Sequence, residues 1–297
     1  MISGLTGSTP IFQQIKLAGL YLHIPFCRKA CHYCDFHFST NSSALLSMVE
    51  ALGRELVLRR DELSSDTIET IYFGGGTPSL LEANHLGFLL NIISKNFKVS
   101  RLVEISIECN PEDIINDELQ DFKKLGINRL SIGIQTLDDK ALLLMNRNHD
   151  SKTTLRALDK TLKYDFGNLN IDLMYGMPGE TIEIWKENLD LINKFYIKHI
   201  SCYNLTVESR TALHHFLKKG KLTIPDDQWN RQIFELNSSF FAENGYDHYE
   251  ISNFAKKDFY SLHNSNYWRG EKYLGIGPSA HSYDGQNQRS WNVSNNV

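Results

Sequence analysis

Short runs rich in β-branched and aromatic residues alternate along the chain with longer amphipathic stretches, and the two periodicities predict strands and helices. Six such runs predict β-strands: LYLHI from Leu20, IETIYF from Ile68, VEISI from Val103, RLSIGI from Arg129, LNIDLM from Leu169 and IKHISCYNL from Ile197. Many of the intervening stretches open on a capping Ser, Thr, Asp or Asn. The predicted helices lie at 42–62, 82–96, 117–125, 151–164 and 181–195. This alternation favours an α/β fold with a parallel sheet, closed or partly closed into a barrel of six βα units.

The pattern divides the chain into three parts. Residues 1–18 form a leader segment, and residues 19–245 carry the βα pattern without a repeat or a low-complexity tract. After Tyr246 the run HYEIS predicts one short strand, and a segment rich in Tyr, Asn and Gly follows to Val297. We expect residues 246–297 to be the beginning of a C-terminal covering region. Because the polar end SWNVSNNV predicts no terminal helix, we also expect that the chain is cut short.

Composition narrows the class of protein. The chain has 297 residues, 41% of them hydrophobic, which suffices for a large buried core. Its formal net charge of -4 is spread over interspersed acids and bases, so no basic surface for nucleic acid is expected. No apolar run reaches the roughly 18 to 20 residues of a membrane-spanning helix, and the first residues do not resemble a secretory signal. We therefore expect a cytoplasmic location.

The segment FCRKACHYCDF sets Cys27, Cys31 and Cys34 in one loop directly after the first predicted strand. Thiolates select iron–sulfur clusters or zinc. A [4Fe–4S] cluster usually takes four cysteines, so three would leave one iron open for another ligand. A structural zinc site needs a fourth ligand, which a nearby histidine could supply: His23, His32 or His37. The remaining cysteines, Cys109 and Cys202, stand alone and are predicted to be small buried hydrophobes.

Polar or glycine-rich segments follow several of the other predicted strands. Glycines in GGGTPS, from Gly74, would let the backbone approach a ligand, or would only form a tight turn. Carboxyl ends of parallel strands meet at one rim of a barrel, so these side chains are expected to lie together. Each carboxylate could instead cap a helix, and the arginine could be a solvated helix end. The candidates are Glu108, Gln135, Arg147 and Asp172.

The combined motifs resemble one family. C-x3-C-x-Y-C, GGGTPS, SIECNP, SIGIQT, MNR, DLMYGMPGE, HNSNYW and GIGPSAHS together are similar to the radical S-adenosylmethionine (radical SAM) proteins. Within that family the resemblance is to the branch of oxygen-independent coproporphyrinogen III oxidase, and most of all to the haem chaperones in it. It runs from about Gly19 to near the end of the chain. It implies a partial (βα)6 radical-SAM barrel.

The resemblance also implies a set of cofactor ligands. Cys27, Cys31 and Cys34 would hold a [4Fe–4S] cluster whose open iron takes the amine and carboxylate of S-adenosylmethionine, which is cleaved to a 5′-deoxyadenosyl radical. Residues 275–280 would line the approach to the adenine. The methionine amine would contact Gly74, Gly75, Gly76 and Thr77. The methionine carboxylate would contact Arg147. The ribose would contact Gln135 and Asp172, with Glu108 nearby.

Two features separate the oxidase from the chaperone. The oxidase group carries a further cysteine where this chain has Phe36. The chaperone group carries an H-N-x-x-Y-W segment implicated in haem binding, in which a neutral imidazole can ligate the iron. His281 is a competing iron ligand, and the H-N-x-x-Y-W residues could also serve only as a turn cap and core packing. The matching residues are His263, Asn264, Tyr267 and Trp268.

Three functions remain open at this point. The first is a haem chaperone that binds haem, a [4Fe–4S] cluster and S-adenosylmethionine and delivers haem to acceptor haemoproteins such as respiratory cytochromes. It would need a reductant protein, and it would neither decarboxylate coproporphyrinogen nor bind nucleic acid or span a membrane. The second is the oxygen-independent coproporphyrinogen III oxidase itself, which forms protoporphyrinogen IX. The third is a zinc-stabilised binding module.

Overall fold

The computed structural model describes residues 16–114 and 118–296, and these residues form one mixed β-sheet flanked by helices. The six predicted strands are confirmed and lie side by side in chain order, each parallel to the next. The first strand begins at the end of the segment assigned to the leader, whose residues 1–15 lie outside the described residues. The strands are β1 Leu17–Ile24, β2 Thr67–Gly75, β3 Val99–Cys109, β4 Arg129–Gln135, β5 Leu169–Tyr175 and β6 His199–Asn204.

Helices connect these strands and pack on the outside of the sheet. Side chains of Asp150 and Thr181 cap two of them, accepting from Thr153 N and Ile184 N. The α-helices are α1 Leu45–Leu58, α2 Ala83–Asn96, α3 Glu118–Lys124, α4 Asp139–Leu144, α5 Ser151–Lys163, α6 Ile182–Asn193, α7 Ala212–Lys218, α8 Asp227–Glu243 and α9 Leu262–Arg269. The five predicted helices correspond to α1, α2, α3, α5 and α6. Within the described part of the chain, no helix is long and apolar enough to cross a membrane.

Residues after Tyr246 add strands to both edges of the same sheet. The sheet order is β11-β10-β9-β1-β2-β3-β4-β5-β6-β8-β7, so the barrel is partial and open. The prediction that HYEIS forms one strand is wrong, because residues 249–252 only connect two short strands that pair with each other. The added strands are β7 Asp247–His248, β8 Asn253–Ala255, β9 Lys272–Ile276, β10 His281–Tyr283 and β11 Arg289–Trp291.

Side chains alternate strictly between the two faces of the central strands, as the pleat of a strand requires. One face is apolar and joins the hydrophobic core beneath the helices, for example Phe73, Ile107 and Ile132. The other face is polar and lines the interior of the partial barrel. Its members include Tyr72, Glu108, Ser131, Asn170, Asp172, Ser201 and Tyr203. The barrel interior is therefore a cavity lined by polar and aromatic residues rather than a packed core.

Candidate functional site

A cavity of about 660 Å³ lies at the carboxyl ends of β2 to β6. The cysteine loop forms part of its wall, and residues from five strands, from the loops after them and from α9 form the rest. Carboxyl ends of parallel strands are where βα barrels gather their ligand-binding residues. The volume falls within the range of about 300 to 1,000 Å³ typical of small-molecule sites. We call this space the cysteine cavity.

Cys27, Cys31 and Cys34 all line the cysteine cavity, and each is a half-buried free thiol. Backbone hydrogen bonds fix their loop: Cys27 N donates to the carbonyl of Ser39 at 3.0 Å, and Cys34 N to that of Cys31 at 3.2 Å. A further bond of 3.1 Å, from His32 N to the carbonyl of Met145, ties the loop to the end of α4. Three thiols thus share one ordered loop and open onto the same space.

Burial raises the pKa of two of these thiols, that of Cys34 to about 11. A buried thiol resists ionisation because the thiolate loses its hydration. Metal ligation requires thiolates, so iron binding would release protons from this loop. A cation stands beside it: Arg147 Nη1 lies 3.5 Å from Cys31 Sγ. A guanidinium at that place would offset the negative charge of ligated thiolates.

Each histidine considered for a zinc site has a hydrogen-bond partner on at least one ring nitrogen, that of His37 being Asn296 Oδ1. Both ring nitrogens of His23 have partners, the Tyr21 hydroxyl at 3.1 Å and the His37 carbonyl at 2.9 Å. His32 Nδ1 lies 2.7 Å from the carbonyl of Leu144. Among the residues described, no group of three or more His, Cys, Asp or Glu side chains is placed to hold one metal ion. A tetrahedral zinc site needs that arrangement, whereas the three ligands of a [4Fe–4S] cluster bind different irons.

The glycine motif lies directly against the cysteine loop. Gly75, Gly76 and Thr77 line the cysteine cavity, and Gly74 lies outside its lining. Gly76 N donates to the carbonyl of Ile24 at 2.8 Å, and a Cβ on Gly76 would lie 2.6 Å from the Phe26 carbonyl oxygen. Glycine is required here because backbone approaches backbone. The motif therefore braces the loop that carries the cysteines, whether or not it also contacts a ligand.

Glu108 projects from the end of β3 into the cysteine cavity and is held from two sides. The Tyr72 hydroxyl donates to it at 2.9 Å and Gly75 N at 3.1 Å. Burial raises the pKa of Glu108 to about 7, although both donors favour the carboxylate. The carboxyl is therefore close to half-ionised near neutral pH and fixed in position.

Gln135 and Asp172 face the same cavity from β4 and β5. Gln135 is buried with φ of 65°, a left-handed backbone conformation that is uncommon for residues other than glycine and costs of order 1 to 3 kcal/mol. Asp172 accepts from Ser131 Oγ at 3.2 Å and from Asn170 Nδ2 at 2.8 Å. Burial raises the pKa of Asp172, and the hydrogen bonds partly counter the rise. Both side chains sit where ribose hydroxyls could be bound.

Arg147 lies behind the cavity wall. Its Nη2 donates to Asn110 Oδ1 at 2.7 Å and to the Gly133 carbonyl at 2.6 Å. Its Nε is buried and has no hydrogen-bond partner among the described residues. The guanidinium thus braces the cysteine loop against β4, and its contact with a ligand carboxylate stays a prediction.

His263 is buried at the start of α9 with both ring nitrogens engaged. Nδ1 lies 2.8 Å from the Thr70 hydroxyl and Nε2 lies 2.8 Å from the Tyr267 hydroxyl. The ring stacks on Tyr72, with 4.9 Å between centroids and 23° between planes. Burial lowers the pKa of His263 to about 3, so the imidazole is neutral. It has the charge state of an iron ligand but no free nitrogen.

The rest of the HNSNYW segment divides between the cavity and solvent. Asn264 and Tyr267 line the cysteine cavity, whereas Trp268 is 61% exposed and stays outside that lining. The carboxylate of Glu104 accepts from the first two amides of α9, Leu262 N at 3.2 Å and His263 N at 3.1 Å. This acceptor, on β3, satisfies two donors that a helix start leaves free.

The turn at 275–280 lies away from the cysteine cavity. Arg59 Nη1 donates to the Gly275 carbonyl at 2.8 Å, and Gly277 N donates to Glu55 at 3.0 Å. These bonds tie the turn to α1. The segment is absent from the lining of the cysteine cavity, but Ser279 lines a neighbouring cavity together with Phe36 of the cysteine loop. Its role in the approach to the adenine stays a prediction.

Several residues of the cavity were missed by considering only the ends of strands. Tyr72, Asn170 and Tyr203 project from within strands, and Tyr33 and Asn110 from loops. The signal for the first three was present: polar and apolar residues alternate within YFGG, LNIDLM and ISCYN. Cys109 and Cys202 are buried on β3 and β6, as predicted, and Cys109 also lines the cysteine cavity.

Comparisons with known proteins agree with this geometry. Residues 21–192 match the family described as the Radical SAM superfamily. The chain is 35% identical over 267 residues to "Heme chaperone HemW" of Bacillus subtilis, covering 89% of this chain and 70% of that protein. It is 34% identical to "Heme chaperone HemW" of Lactococcus lactis, covering 89% and 69%. At 35% identity it also matches "Radical S-adenosyl methionine domain-containing protein 1, mitochondrial" of Danio rerio, covering 89% and 60%.

One solved structure is similar over nearly the whole chain. It is the coproporphyrinogen III oxidase HemN of Escherichia coli, a radical SAM enzyme, with a TM-score of 0.81 and 26% identity. The likeness covers 95% of this chain and 68% of that one. The family match, the relatives and the cysteine loop at the mouth of the partial barrel all point to one family. The chain belongs to the radical SAM superfamily, in the group of the HemW-type proteins.

Proposed function

We propose that this chain binds haem, a [4Fe–4S] cluster and S-adenosylmethionine, and that it delivers haem to acceptor haemoproteins. The observation that carries the proposal is the cysteine loop: three half-buried thiols and Phe36, rather than a fourth cysteine, border the cysteine cavity. Phe36 is 70% exposed and presents an apolar ring at the mouth of that cavity. An apolar rim suits a porphyrin face better than it suits a charged substrate.

The residues present fit the two cofactors of the family. Three cysteines would hold the cluster, and Arg147 Nη1, 3.5 Å from Cys31 Sγ, offsets its charge. Gly75, Gly76, Thr77, Gln135 and Asp172 line the space beside the cysteines, where S-adenosylmethionine would lie. When bound, this pair supplies one-electron chemistry. The chain itself orients the ligands through the bonds that hold Glu108 and Asp172, and it limits water through the burial of both carboxyls.

Haem binding is supported by the relatives and by the aromatic rings around the cavity. The curated relatives carry the name heme chaperone. Tyr267 and Phe36 line the cysteine cavity and also a space that adjoins it, and aromatic rings pack well on a porphyrin. For His263 to ligate the iron, it would have to release the hydroxyl of Tyr267 or of Thr70. As part of the same proposal, respiratory cytochromes accept the haem, and a reductant protein is a further partner.

The second candidate function is oxidative decarboxylation of coproporphyrinogen III. The structural likeness to HemN favours it, because that likeness spans 95% of this chain. Phe36, at the position of the oxidase group's additional cysteine, speaks against it. The two candidates differ in what happens to the porphyrin: the chaperone binds and releases haem, whereas the oxidase turns over a porphyrinogen.

One anaerobic preparation tests both candidates. The protein is reconstituted with iron and sulfide and divided into two parts. The first part is titrated with haem under optical detection, and the loaded protein is then mixed with a haem-free b-type cytochrome. The second part is incubated with coproporphyrinogen III, dithionite and S-adenosylmethionine. We expect near-equimolar haem binding, transfer to the cytochrome and no decarboxylated product. Product formation without specific haem binding would establish the oxidase instead.

A further inference from the structure

A second cavity, of about 570 Å³, adjoins the cysteine cavity on its β1 and β9 side. Phe36 and Tyr267 line both spaces, one from the cysteine loop and one from α9. A ligand in the second cavity would therefore lie next to the cluster site without filling it. We call this space the histidine cavity, since His23, His37 and His281 line it.

The walls of the histidine cavity are aromatic. Tyr273 contacts Tyr267 with 4.7 Å between ring centroids and Tyr283 with 6.3 Å, so the three rings form a continuous surface. Phe36 extends that surface toward solvent and is 70% exposed. Large aromatic surfaces that remain open to a cavity favour a flat, apolar ring system.

The three histidines of this cavity differ in what their nitrogens already bind. His23 has partners on both nitrogens, the Tyr21 hydroxyl and the His37 carbonyl. His37 Nε2 lies 2.7 Å from Asn296 Oδ1. His281 is exposed on β10, and within 16–114 and 118–296 its ring has no hydrogen-bond partner and only a ring contact with Trp291 at 6.2 Å. His281 is thus the histidine whose nitrogens are available without breaking a bond.

The position of His281 is fixed by its strand rather than by its side chain. A Cβ on Gly275 would collide with the carbonyl of His281, so β9 and β10 meet at a contact that only glycine allows. Gly275 N also donates to Ser282 Oγ at 2.9 Å. The backbone therefore presents the His281 imidazole to the cavity in one place.

A cation completes the histidine cavity. Arg289 on β11 rests over the ring of Tyr283, 5.1 Å from its centroid. No carboxylate in the described part of the chain forms an ion pair with it. Guanidinium groups bind carboxylates through paired hydrogen bonds. Arg289 is thus placed to take a carboxylate carried by a ligand that stacks on the tyrosines.

We propose that the histidine cavity is the haem site, with His281 as the iron ligand and Arg289 bound to a propionate. The assignment rests on the proposed function and names the site for its cargo. Haem has three features that residues of this cavity can bind: a flat ring system, a metal that takes a neutral imidazole and peripheral carboxylates. When haem occupies the histidine cavity, the cysteine cavity can hold the cluster and S-adenosylmethionine. His263 then keeps both of its hydrogen bonds.

The test compares His281→Ala with His263→Ala and with His215→Ala, an exposed histidine on α7 that serves as the control. Each anaerobic protein is titrated with ferric haem, and axial ligation is read by electron paramagnetic resonance and resonance Raman spectroscopy. We expect His281→Ala to lose the histidine-ligated spectrum and to bind haem at least about tenfold more weakly, while added imidazole restores the spectrum. The other two variants are expected to match the wild type.

The possible results separate this assignment from the proposed function. If the wild type binds no haem specifically, the proposed function fails. If the wild type binds haem and His281→Ala keeps the same ligation, the His281 assignment is wrong while the proposed function stands. Loss of ligation in His263→Ala alone would place the iron at α9 instead. Arg289→Ala, compared with the exposed Arg101→Ala on β3, is expected to weaken haem several-fold and to leave the ligation spectrum unchanged.

Discussion

The cysteine cavity and the histidine cavity differ in how far the protein satisfies its own polar groups. In the cysteine cavity, Glu108 and Asp172 are half-buried and His263 is buried, and all three are already hydrogen-bonded on more than one side. In the histidine cavity, His281 and Arg289 are exposed, and their side chains form no hydrogen bond or ion pair with the described residues. In the first cavity the polar side chains bond to each other around the cysteines, whereas in the second the side chains of His281 and Arg289 can bind a ligand directly.

This difference follows from the cost of burial. A buried polar group without a partner costs of order 1 to 3 kcal/mol, so a deep cavity is stable only if its side chains bond to each other. Such a network holds a cofactor in one orientation but leaves few groups free to ligate. Exposed groups carry no such cost while water covers them. A sequence motif such as HNSNYW can therefore mark the frame of a site rather than the atoms that touch the ligand.

The largest effect is expected from the cysteine loop. Replacing Cys27, Cys31 or Cys34 by Ser should abolish the cluster, because the loop has no spare thiolate. Iron and sulfide content and the optical spectrum of the anaerobic protein measure the effect. The matched control is Cys202→Ala, a buried cysteine on β6, which should keep full iron content. A complete cluster in a loop variant would show that the ligands are assigned wrongly.

The second-largest effect is expected from the ionisation of Glu108, which should lower the free energy of unfolding by up to about 3 kcal/mol as pH rises. Burial lifts the pKa of Glu108 from 4.5 to about 7, so between these values the folded state binds more protons than the unfolded state. The free energy of unfolding therefore falls as pH rises through this window. Glu108→Gln removes this term, so the variant should gain stability relative to wild type between pH 5 and pH 8. Denaturation midpoints at both pH values, on matched preparations, measure the difference. A constant difference would refute the raised pKa.

A loss of about 2 kcal/mol is expected from Glu104→Ala. This carboxylate accepts from Leu262 N and His263 N, and its removal leaves two buried amides at the start of α9 without an acceptor. Urea unfolding of the variant is compared with that of Glu50→Ala. Glu50 forms an exposed pair with Arg54 at 3.8 Å, so its loss should change stability by less than about 0.5 kcal/mol. Equal effects of the two changes would contradict the cap.

The smallest effect is expected from Trp268→Ala. The side chain is 61% exposed and lies outside the described linings of both cavities. Haem affinity should stay within about twofold of the wild-type value. The free energy of unfolding should stay within about 0.5 kcal/mol of it. A large loss of haem affinity would favour α9, rather than β10, as the haem-binding element.

The sequence predicts the parallel part of the fold because that part repeats a local pattern. Strands β1 to β6 and their helices each show their own periodicity. Strands β7 to β11 have two to five residues, too few to show a clear period, and β9 and β8 join the sheet through distant partners: β9 pairs with β1 across more than 200 residues, and β8 pairs with β6. The wrong strand at HYEIS has a different cause, since β7 and β8 pair locally and residues 249–252 only connect them.

The site is predictable to a similar degree. Cys27, Cys31 and Cys34 are placed by spacing within one loop, and Glu108 and Asp172 by their strands. The partners of His263 could not be predicted, because Thr70 lies 193 residues away in the chain. The position of Arg147 behind the wall depends on Asn110 and Gly133, which belong to two different strand ends. Single-residue roles thus depend on contacts that no local pattern carries.

The central claim is that cluster and haem occupy separate, adjoining cavities. The most direct measurement is a haem titration of the protein in which Cys27, Cys31 and Cys34 are all replaced by Ser, beside the wild type with and without saturating S-adenosylmethionine. We expect near-equimolar haem binding with the same histidine-ligated spectrum in all three samples, and affinities within about threefold, or about 0.7 kcal/mol. Loss of haem from the cysteine-free protein, or its displacement by S-adenosylmethionine, would contradict separate sites.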